Sequence, residues 1–201
     1  MEKEKLVIAH SCKKKFAPIV EYINEMLKTN ENSSILVGID GMCASGKTTL
    51  GYYLKNEFDC NLFHMDDFFL QKHQRTQERL NEIGGNVDYE RFKKEVIVPT
   101  LNKQIITYRP YNCTLGMIQV GEELSCKRLN IIEGSYCQHP YFGDIYQIKI
   151  FMTISDTKQI ERIKIRNGDS MLKRFILEWI PKEKEYFEKY QIRENSILID
   201  N

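Results

Sequence analysis

Long hydrophobic runs, an excess of one charge and regularly spaced cysteines are all missing from this sequence, and each absence excludes a class of protein. No stretch of about 18 apolar residues occurs, which excludes a helical membrane span. Met1–Lys5 and the short apolar stretch after it are too brief for a signal sequence. The 29 basic and 28 acidic residues nearly cancel, so we expect no surface dedicated to nucleic acid or to a membrane.

Cysteine spacing excludes a disulfide framework and a zinc site. The six cysteines are scattered, with no C-x-x-C pair and no metal-ligand spacing. This usage is typical of a reduced compartment, and we expect a soluble, cytoplasmic protein. Internal repeats and low-complexity segments are also missing. The 201 residues therefore predict one domain, residues 1–201, large enough to bury a core.

One stretch carries a specific signal. The apolar run 35–40 is followed at once by the pattern G-x-x-x-x-G-K-T and then by residues 50–55, which read as the opening of a helix. Strand, phosphate loop and helix stand in the required order. Small residues let the loop backbone approach a polyphosphate, and the helix N-terminus favours the same anion. The alternative is a glycine-bearing turn that only joins a strand to a helix.

The pattern assigns roles to nine consecutive residues. Lys47 is expected to reach the β- and γ-phosphates and to act in catalysis, while the Thr48 hydroxyl ligates Mg²⁺. The predicted ATP-binding residues are Gly41, Met42, Cys43, Ala44, Ser45, Gly46, Lys47, Thr48 and Thr49.

Hydrophobic patterning predicts an α/β fold. Apolar residues at three-to-four-residue spacing over 13–29 predict an amphipathic helix within an N-terminal extension, residues 1–30. Further strands are predicted at 61–65, 129–133, 146–154 and 196–200. Their alternation with helices predicts a five-stranded parallel sheet covered on both faces, a three-layer α/β/α arrangement of the P-loop NTPase type.

Acidic residues follow two of these strands. Asp66 and Asp67 end the second strand, at the sheet edge where open α/β folds bind ligands. We expect Asp66 to take a proton from an attacking hydroxyl or to hold Mg²⁺ through water, and Asp67 to serve either chemistry or a helix cap. His64 precedes the pair and reads as a core residue or as part of the site. Glu133 closes the third strand, the position of a residue in the Mg²⁺ shell.

Residues 70–125 form a predicted substrate-binding insertion. Its first part, 70–86, is polar and ends in Gly84-Gly85-Asn86, which predicts a mobile connection. Residues 105–112 and 117–120 then predict a hairpin with Tyr108, Arg109 and Tyr111 near its bend. Aromatics beside an arginine suit a planar base and a hydroxylated sugar, and they equally suit ordinary cross-strand pairs.

Residues 162–180 form a predicted lid. Arg162 and Arg166 lie at i and i+4 on one helix face, and Asn167-Gly168-Asp169 break the helix after them. Two arginines beside a glycine-bearing break suit a lid that neutralises phosphate charge in the transition state. The alternative is a helix with ordinary i,i+4 ion pairs.

Taken in order, these pieces resemble the uridine kinase and phosphoribulokinase group of phosphate-loop kinases. The resemblance covers most of the chain from residue 35 onward and rests on the phosphate loop, Met65-Asp66-Asp67-Phe68-Phe69, Asn86–Phe92, Arg109-Pro110-Tyr111-Asn112, Glu133-Gly134 and the Arg162…Arg166 helix. It implies a five-stranded parallel sheet and ATP with Mg²⁺ as phosphoryl donor.

The resemblance also implies residue roles. Asp66 matches the base that takes the proton of a primary hydroxyl, and Asp88 matches an acid that holds ribose hydroxyls. Tyr111 matches an aromatic residue of the nucleoside pocket, Glu133 and Thr48 match the magnesium side, and Arg166 matches a phosphate-contacting lid arginine. Uridine and cytidine kinases usually carry an R-G-R-D type lid and a histidine after the hairpin tyrosine, whereas this chain has Arg166–Asp169 and no such histidine. Lys173 or Arg174 is a positional candidate for the missing lid arginine.

The sequence therefore predicts ATP-dependent phosphoryl transfer to a small-molecule hydroxyl, with the 5′-hydroxyl of a nucleoside such as uridine as first choice. Other acceptors, such as a vitamin riboside, pantothenate or a sugar, stay open. A nucleotide-binding switch is the alternative of another class, although no N-K-x-D guanine-reading run occurs. The expected partners are ATP and a small molecule, with no nucleic acid or membrane, and a homo-oligomer stays open.

Overall fold

The structure, a computed structural model, describes residues 2–30 and 33–201. Its strands are β1 (Ile35–Gly41), β2 (Cys60–His64), β3 (Ile106–Tyr108), β4 (Tyr111–Asn112), β5 (Met117–Ile118), β6 (Glu122–Leu124), β7 (Leu129–Glu133), β8 (Ile148–Thr153) and β9 (Ile197–Asp200). Its α-helices are α1 (Glu2–Thr29), α2 (Lys47–Glu57), α3 (Gln77–Asn81), α4 (Tyr89–Phe92), α5 (Val98–Leu101), α6 (Asp156–Arg174) and α7 (Ile180–Lys189). Within the described ranges, no helix is both long enough and apolar enough to span a bilayer.

Five strands form one sheet in the order β2-β7-β1-β8-β9, and every pair in it is parallel. All seven residues of the central strand β1 are buried. A parallel strand that is covered on both faces reads as a continuous apolar run, which is why these strands are recognisable in the sequence. The five predicted sheet strands and the three-layer α/β/α fold are confirmed.

Two hydrophobic cores lie on opposite faces of this sheet. Alternate side chains of β1 enter different cores, because successive residues of a strand point to opposite faces. The first core joins Ile35, Val37 and Ile39 to residues of α1 and α2, including Phe16, Ile19, Ile23, Leu50 and Leu54. The second core joins Leu36 to residues of α4 and α7 and of segment 93–97, which lies between α4 and α5, including Phe92, Val96, Ile97, Tyr186 and Phe187. The predicted amphipathic helix at 13–29 is thus the C-terminal part of α1.

Two π turns, Lys93–Ile97 and Phe175–Trp179, lie directly before helices that carry a proline in their first turn. Pro99 and Pro181 lack an N–H, and their rings crowd the carbonyl four residues earlier, which lies inside each π turn. Pro99 therefore widens the helix and does not end it, and the helical path continues to Leu101.

The insertion contains the predicted hairpin, built as two short antiparallel ladders. Strand β3 pairs with β6, and β4 pairs with β5 nearer the bend. The polar segment 70–86 contains α3, whose first turn is capped by the Thr76 hydroxyl. The role of residues 70–125 in binding an acceptor stays a prediction.

Candidate active site

The phosphate loop joins β1 to α2 at the carboxyl edge of the sheet. Gly41 has φ of 134°, and a Cβ there would lie 2.2 Å from the Met152 carbonyl oxygen, so the loop requires glycine at this point. Gly46 (φ 98°) is the N-cap of α2 and offers no side-chain acceptor. The first N–H groups of a helix have no intrahelical acceptor, so this end of α2 is suited to an anion.

Lys47 lies inside the loop. Its side chain is buried, and Nζ donates hydrogen bonds to the carbonyl oxygens of Gly41 at 2.7 Å and Met42 at 3.0 Å. The ammonium group is thus held by neutral acceptors at the mouth of the loop. Neither of these carbonyl acceptors carries a charge, so the two contacts do not form an ion pair that a phosphate would have to break.

Thr48 and Glu133 form the expected magnesium side. The Thr48 hydroxyl lies 3.1 and 3.2 Å from the two carboxylate oxygens of Glu133, which is buried at the end of β7. A hydroxyl and a carboxylate are hard oxygen donors of the kind Mg²⁺ prefers. Across the described residues no group of three or more His, Cys, Asp or Glu side chains could hold a metal, and Mg²⁺ in phosphate sites ordinarily uses one or two carboxylates with substrate phosphates. The residues present therefore fit the ion.

His64 belongs to this site, one of the two possibilities that the sequence left open. It lies opposite Glu133 in the β2–β7 register, and its Nδ1 is 2.5 Å from Glu133 Oε1. Burial lowers the pKa of His64, but the hydrogen bond and charge of Glu133 outweigh it and raise the pKa overall. The imidazole and the Thr48 hydroxyl thus both contact Glu133 Oε1, and together they orient the carboxylate.

Asp66 and Asp67 follow β2 in a 3₁₀ turn, Met65–Phe68, and have different environments. The Asp67 carboxylate accepts a hydrogen bond from the Tyr108 hydroxyl, and the N-cap of the turn is His64, so Asp67 is not the cap. Among the described residues nothing hydrogen-bonds the Asp66 side chain, which solvent reaches within the cleft. Desolvation and then the charge of Glu133 raise the pKa of Asp66, while Lys47 opposes them. Asp66 is therefore a free carboxylate with enhanced basicity beside Lys47.

Asp88 is engaged within the protein. Its Oδ1 accepts the Arg91 backbone N–H at 3.0 Å as the N-cap of α4, and its Oδ2 accepts the Gln74 side-chain amide at 2.9 Å. The Arg91 guanidinium adds an ion pair at 3.7 Å. A ribose hydroxyl reaches this buried carboxylate only by displacing the Gln74 amide.

The hairpin residues have separate surroundings. The Tyr108 ring packs between Phe63 and Phe68 in the core. The half-exposed Arg109 forms an ion pair with the buried Glu95. Tyr111 is buried, with the Arg75 guanidinium 5.9 Å from its ring centroid. The predicted substrate roles of these three hairpin residues stay predictions.

Of the two predicted lid arginines, the structure brings one to the phosphate loop. Arg162 Nη1 donates to the Ala44 carbonyl oxygen at 3.2 Å. Arg166 instead bonds its neighbour Asn167 and lies 5.9 Å from the Phe175 ring. Gly168 (φ 78°, ψ 171°) interrupts α6 where the sequence predicts the break. Arg166 is thus on the lid but away from the loop in this arrangement.

Two residues that sequence reasoning missed hold the loop backbone at Cys43. Gln159 of α6 donates its amide to the Cys43 carbonyl oxygen at 3.0 Å. Glu183 of α7 accepts the Cys43 backbone N–H at 3.0 Å, and the Cys43 side chain packs with Ile163 and Phe175. Glu183 does carry a signal in the sequence, because an acid on the apolar face of an amphipathic helix is costly without a partner.

A buried network at the root of the loop was also missed. Asp40 accepts hydrogen bonds from the Gly41 and Gln138 backbone N–H groups and from the Tyr186 hydroxyl, the last at 2.8 Å. Burial raises the pKa of Asp40 to about 6 despite Lys47 nearby. Tyr186 begins a column of stacked groups, which we call the ring column, that continues outward through His139, Tyr89 and Arg79.

Comparison with solved structures finds similar folds among proteins that are described as kinases. Over 92% of this chain and 100% of the other, a possible uridine kinase from Bacillus stearothermophilus aligns with a TM-score of 0.62 at 18% identity. A protein assigned as a fructose transport system kinase from Silicibacter sp. aligns over 86% and 94%, with a TM-score of 0.69 at 19% identity. D-glycerate 3-kinase from Cryptococcus neoformans aligns over 83% and 86%, with a TM-score of 0.59 at 14% identity.

No protein-family model matches the chain, and a search of curated proteins gives no match. At these sequence identities the structural similarity shows the fold alone. It confirms the arrangement that the sequence predicts, and the chain has the three-layer α/β/α fold of these solved structures.

Proposed function

We propose that this protein is an ATP-dependent kinase that phosphorylates the primary hydroxyl of a small molecule, with the 5′-hydroxyl of a nucleoside such as uridine as the first candidate. The observation that carries the proposal is the free Asp66 carboxylate beside Lys47, at the same sheet edge as the phosphate loop. One group binds a terminal phosphate and the other accepts a proton, which are the two requirements of transfer to an alcohol.

In the proposed reaction, Asp66 accepts the proton of the acceptor hydroxyl while the alcohol oxygen bonds to the γ-phosphorus of ATP. The bond from that phosphorus to the β–γ bridging oxygen breaks, and ADP leaves with the bond's electron pair. Lys47 and the loop N–H groups hold the phosphates in line with the hydroxyl. Arg162, already at the loop, supplies a further positive charge.

Thr48 and Glu133 would hold Mg²⁺ with the phosphates of ATP. The ion, when bound, supplies charge neutralisation of the phosphoryl oxygens. His64 keeps the Glu133 carboxylate in the orientation that the pair requires.

The proposal of a nucleoside acceptor depends on residues of the insertion, 70–125. The family resemblance implies that Tyr111 contacts the base and that Asp88 holds the ribose hydroxyls. Because Gln74 occupies Asp88 Oδ2, we propose that the ribose takes over that hydrogen bond when the acceptor binds.

The test is transfer from γ-labelled ATP to a panel of nucleosides, vitamin ribosides, pantothenate, sugars and hydroxy acids. We expect labelled 5′-phosphate on at least one nucleoside. Transfer to another member of the panel and to no nucleoside would support the proposed kinase activity and identify a different acceptor. Nucleotide-dependent binding of a protein, with no transfer to any small molecule, would favour the switch and overturn the proposal.

A further inference from the structure

The carboxylate of Glu183 occupies a backbone hydrogen-bond donor of the phosphate loop. Glu183 lies on α7, directly after the predicted lid, and is only 5% exposed. Its Oε2 accepts the Cys43 N–H at 3.0 Å, and its Oε1 accepts the Ser135 hydroxyl at 2.5 Å. Both oxygens are thus held, and one of them is held by a backbone amide of the phosphate loop.

A polyphosphate bound in the loop would compete with this carboxylate for a backbone N–H group. Cys43 is the third residue of G-x-x-x-x-G-K-T, whose backbone N–H groups surround the phosphates when nucleotide binds. Glu183 also raises the pKa of Asp66, so its charge reaches the place where the phosphoryl group and the acceptor hydroxyl meet. A phosphate oxygen at the Cys43 amide would therefore compete with Glu183 for one donor and face a like charge.

We propose that Glu183 is a built-in competitor for the phosphate loop: in the nucleotide-free protein its carboxylate occupies the Cys43 amide, and ATP must displace it to bind. The inference rests on the proposed function, because it takes the loop to be a nucleotide site. It adds a residue that opposes nucleotide binding and that no part of the phosphoryl-transfer chemistry requires.

Displacement of Glu183 would be communicated beyond the loop. The residue before it, Lys182, donates from Nζ to the Leu80 carbonyl oxygen in the insertion at 2.6 Å, and Tyr186 bonds Asp40 at the loop root. Helix α7 therefore contacts the phosphate loop and the acceptor insertion at once. Release of Glu183 changes the restraints on the helix that follows the lid, so ATP binding and the lid position are linked.

The test measures nucleotide affinity of the full chain without any acceptor. Glu183→Gln keeps the size of the side chain and removes its charge. Its amide oxygen can still accept the Cys43 N–H, while its NH2 group can donate to the Ser135 hydroxyl oxygen. Isothermal titration with the Mg²⁺ complex of a non-hydrolysable ATP analogue should show binding about tenfold tighter than wild type, because a neutral acceptor holds the amide less strongly than a carboxylate. Glu185→Gln is the matched control, since Glu185 lies exposed on the same helix, and should bind as wild type does.

A second variant keeps the test decisive if Glu183→Gln does not fold. Ser135→Ala removes the hydroxyl that holds Oε1 and should tighten analogue binding by a smaller factor. Unchanged or weaker binding in a folded Glu183→Gln protein, or in Ser135→Ala when the first variant is unfolded, overturns the inference. If wild type and variants all fail to bind nucleotide, the proposed function falls as well, whereas tight nucleotide binding without transfer to any acceptor refutes the kinase and leaves the displacement intact.

Discussion

The two sides of the cleft are built differently. On the phosphate side, loop, lysine and threonine come from one contiguous motif, and Lys47 bonds carbonyl oxygens only a few residues away. On the acceptor side, the polar groups are satisfied in pairs that lie far apart in the chain, such as Tyr108 with Asp67 and Arg109 with Glu95. The phosphate side is therefore built mainly by residues close together in the chain, with Glu183 as a distant exception, while the acceptor side is built by pairs of distant residues.

This difference separates what is general in the fold from what is particular to this protein. A phosphate offers the same charge and oxygens in every kinase, so one motif suffices to bind it. In the proposed reaction an acceptor must be distinguished from other alcohols, and the paired side chains would fix the shape that distinguishes it. Asp66 lies next to Asp67 on the acceptor side, yet no other described residue hydrogen-bonds its side chain.

The largest expected effect is a difference in turnover between variants of the two neighbouring aspartates, Asp66 and Asp67. Asp66→Asn should lower turnover by about 10³-fold, because an amide cannot accept the hydroxyl proton. Asp67→Asn is the matched control and should cost less than tenfold, since its partner is Tyr108. Steady-state kinetics with the accepted substrate measures both. A near wild-type rate for Asp66→Asn would remove it from the base role.

The pH profile sharpens the same contrast. Because its raised pKa lies above the ordinary value of 3.8, Asp66 should lose its basic form as the pH falls through that raised value. Wild-type kcat/KM should then decline on the acid side, and the residual activity of Asp66→Asn should lack this decline. An identical acid limb in both proteins would contradict the assignment.

Lys47→Ala tests the phosphate side alone. Loss of the only loop ammonium should reduce turnover by about 10²- to 10³-fold, with the circular dichroism spectrum unchanged because Lys47 bonds only loop carbonyls. Lys55→Ala, at the exposed end of the same helix, serves as the control and should leave turnover unaltered. A Lys47→Ala rate within a few-fold of wild type would contradict phosphate binding by the loop.

The pKa values of the buried Asp40 and the half-buried His139 shift in opposite directions, so the effects of the two groups on the pH dependence of stability should oppose each other. Burial raises the pKa of Asp40 from 3.8 to about 6, so its contribution to folding is present below pH 4 and is lost as the pH rises through 6, a change of about 3 kcal/mol. Burial lowers the pKa of His139 from 6.5 to about 4, so its contribution is present above pH 6.5 and is lost as the pH falls.

In a protein without the His139 imidazole, the pH dependence of stability that Asp40 contributes should become measurable. His139→Asn should lose unfolding free energy, relative to wild type, as the pH rises from 4 to 6.5, because Asp40 is then unopposed. Urea unfolding at several pH values measures the difference. Parallel curves for the two proteins would show that His139 does not titrate in this range.

The smallest effect concerns the acceptor side. Tyr108→Phe removes the hydroxyl that donates to Asp67 and should lower the free energy of unfolding by about 1–2 kcal/mol. Tyr52→Phe, whose ring is exposed, should change it by much less. Equal stabilities in chemical denaturation would show that the Tyr108 hydrogen bond is not a net stabilising contact.

Sequence reasoning identified the fold because its main signals are local. The β1 run, the glycines of the loop and the break at Gly168 each follow from residues within a few positions of one another. The sequence also identified Glu133 and Asp66, since each closes a strand at a predictable edge of the sheet. Both strands end at the carboxyl edge, as observed.

The remaining contacts depend on which elements become neighbours. His64 meets Glu133 only because β2 pairs with β7, and no local pattern states that order. Glu183 meets Cys43 across 140 positions. Asp88 was assigned to a ribose by resemblance, yet its bonds to Gln74 and Arg91 arise from the way the insertion folds back on α4.

The ring column described above has a mechanical consequence. The planes of Tyr89 and His139 are 12° apart and those of His139 and Tyr186 are 9° apart, with the Arg79 guanidinium over the outer end and Asp40 bonded at the inner end. Close-packed groups transmit strain because they leave no space that could absorb a displacement. A displacement of Arg79 at the outer surface of the insertion is therefore passed through the ring column to Asp40, the residue that precedes the phosphate loop.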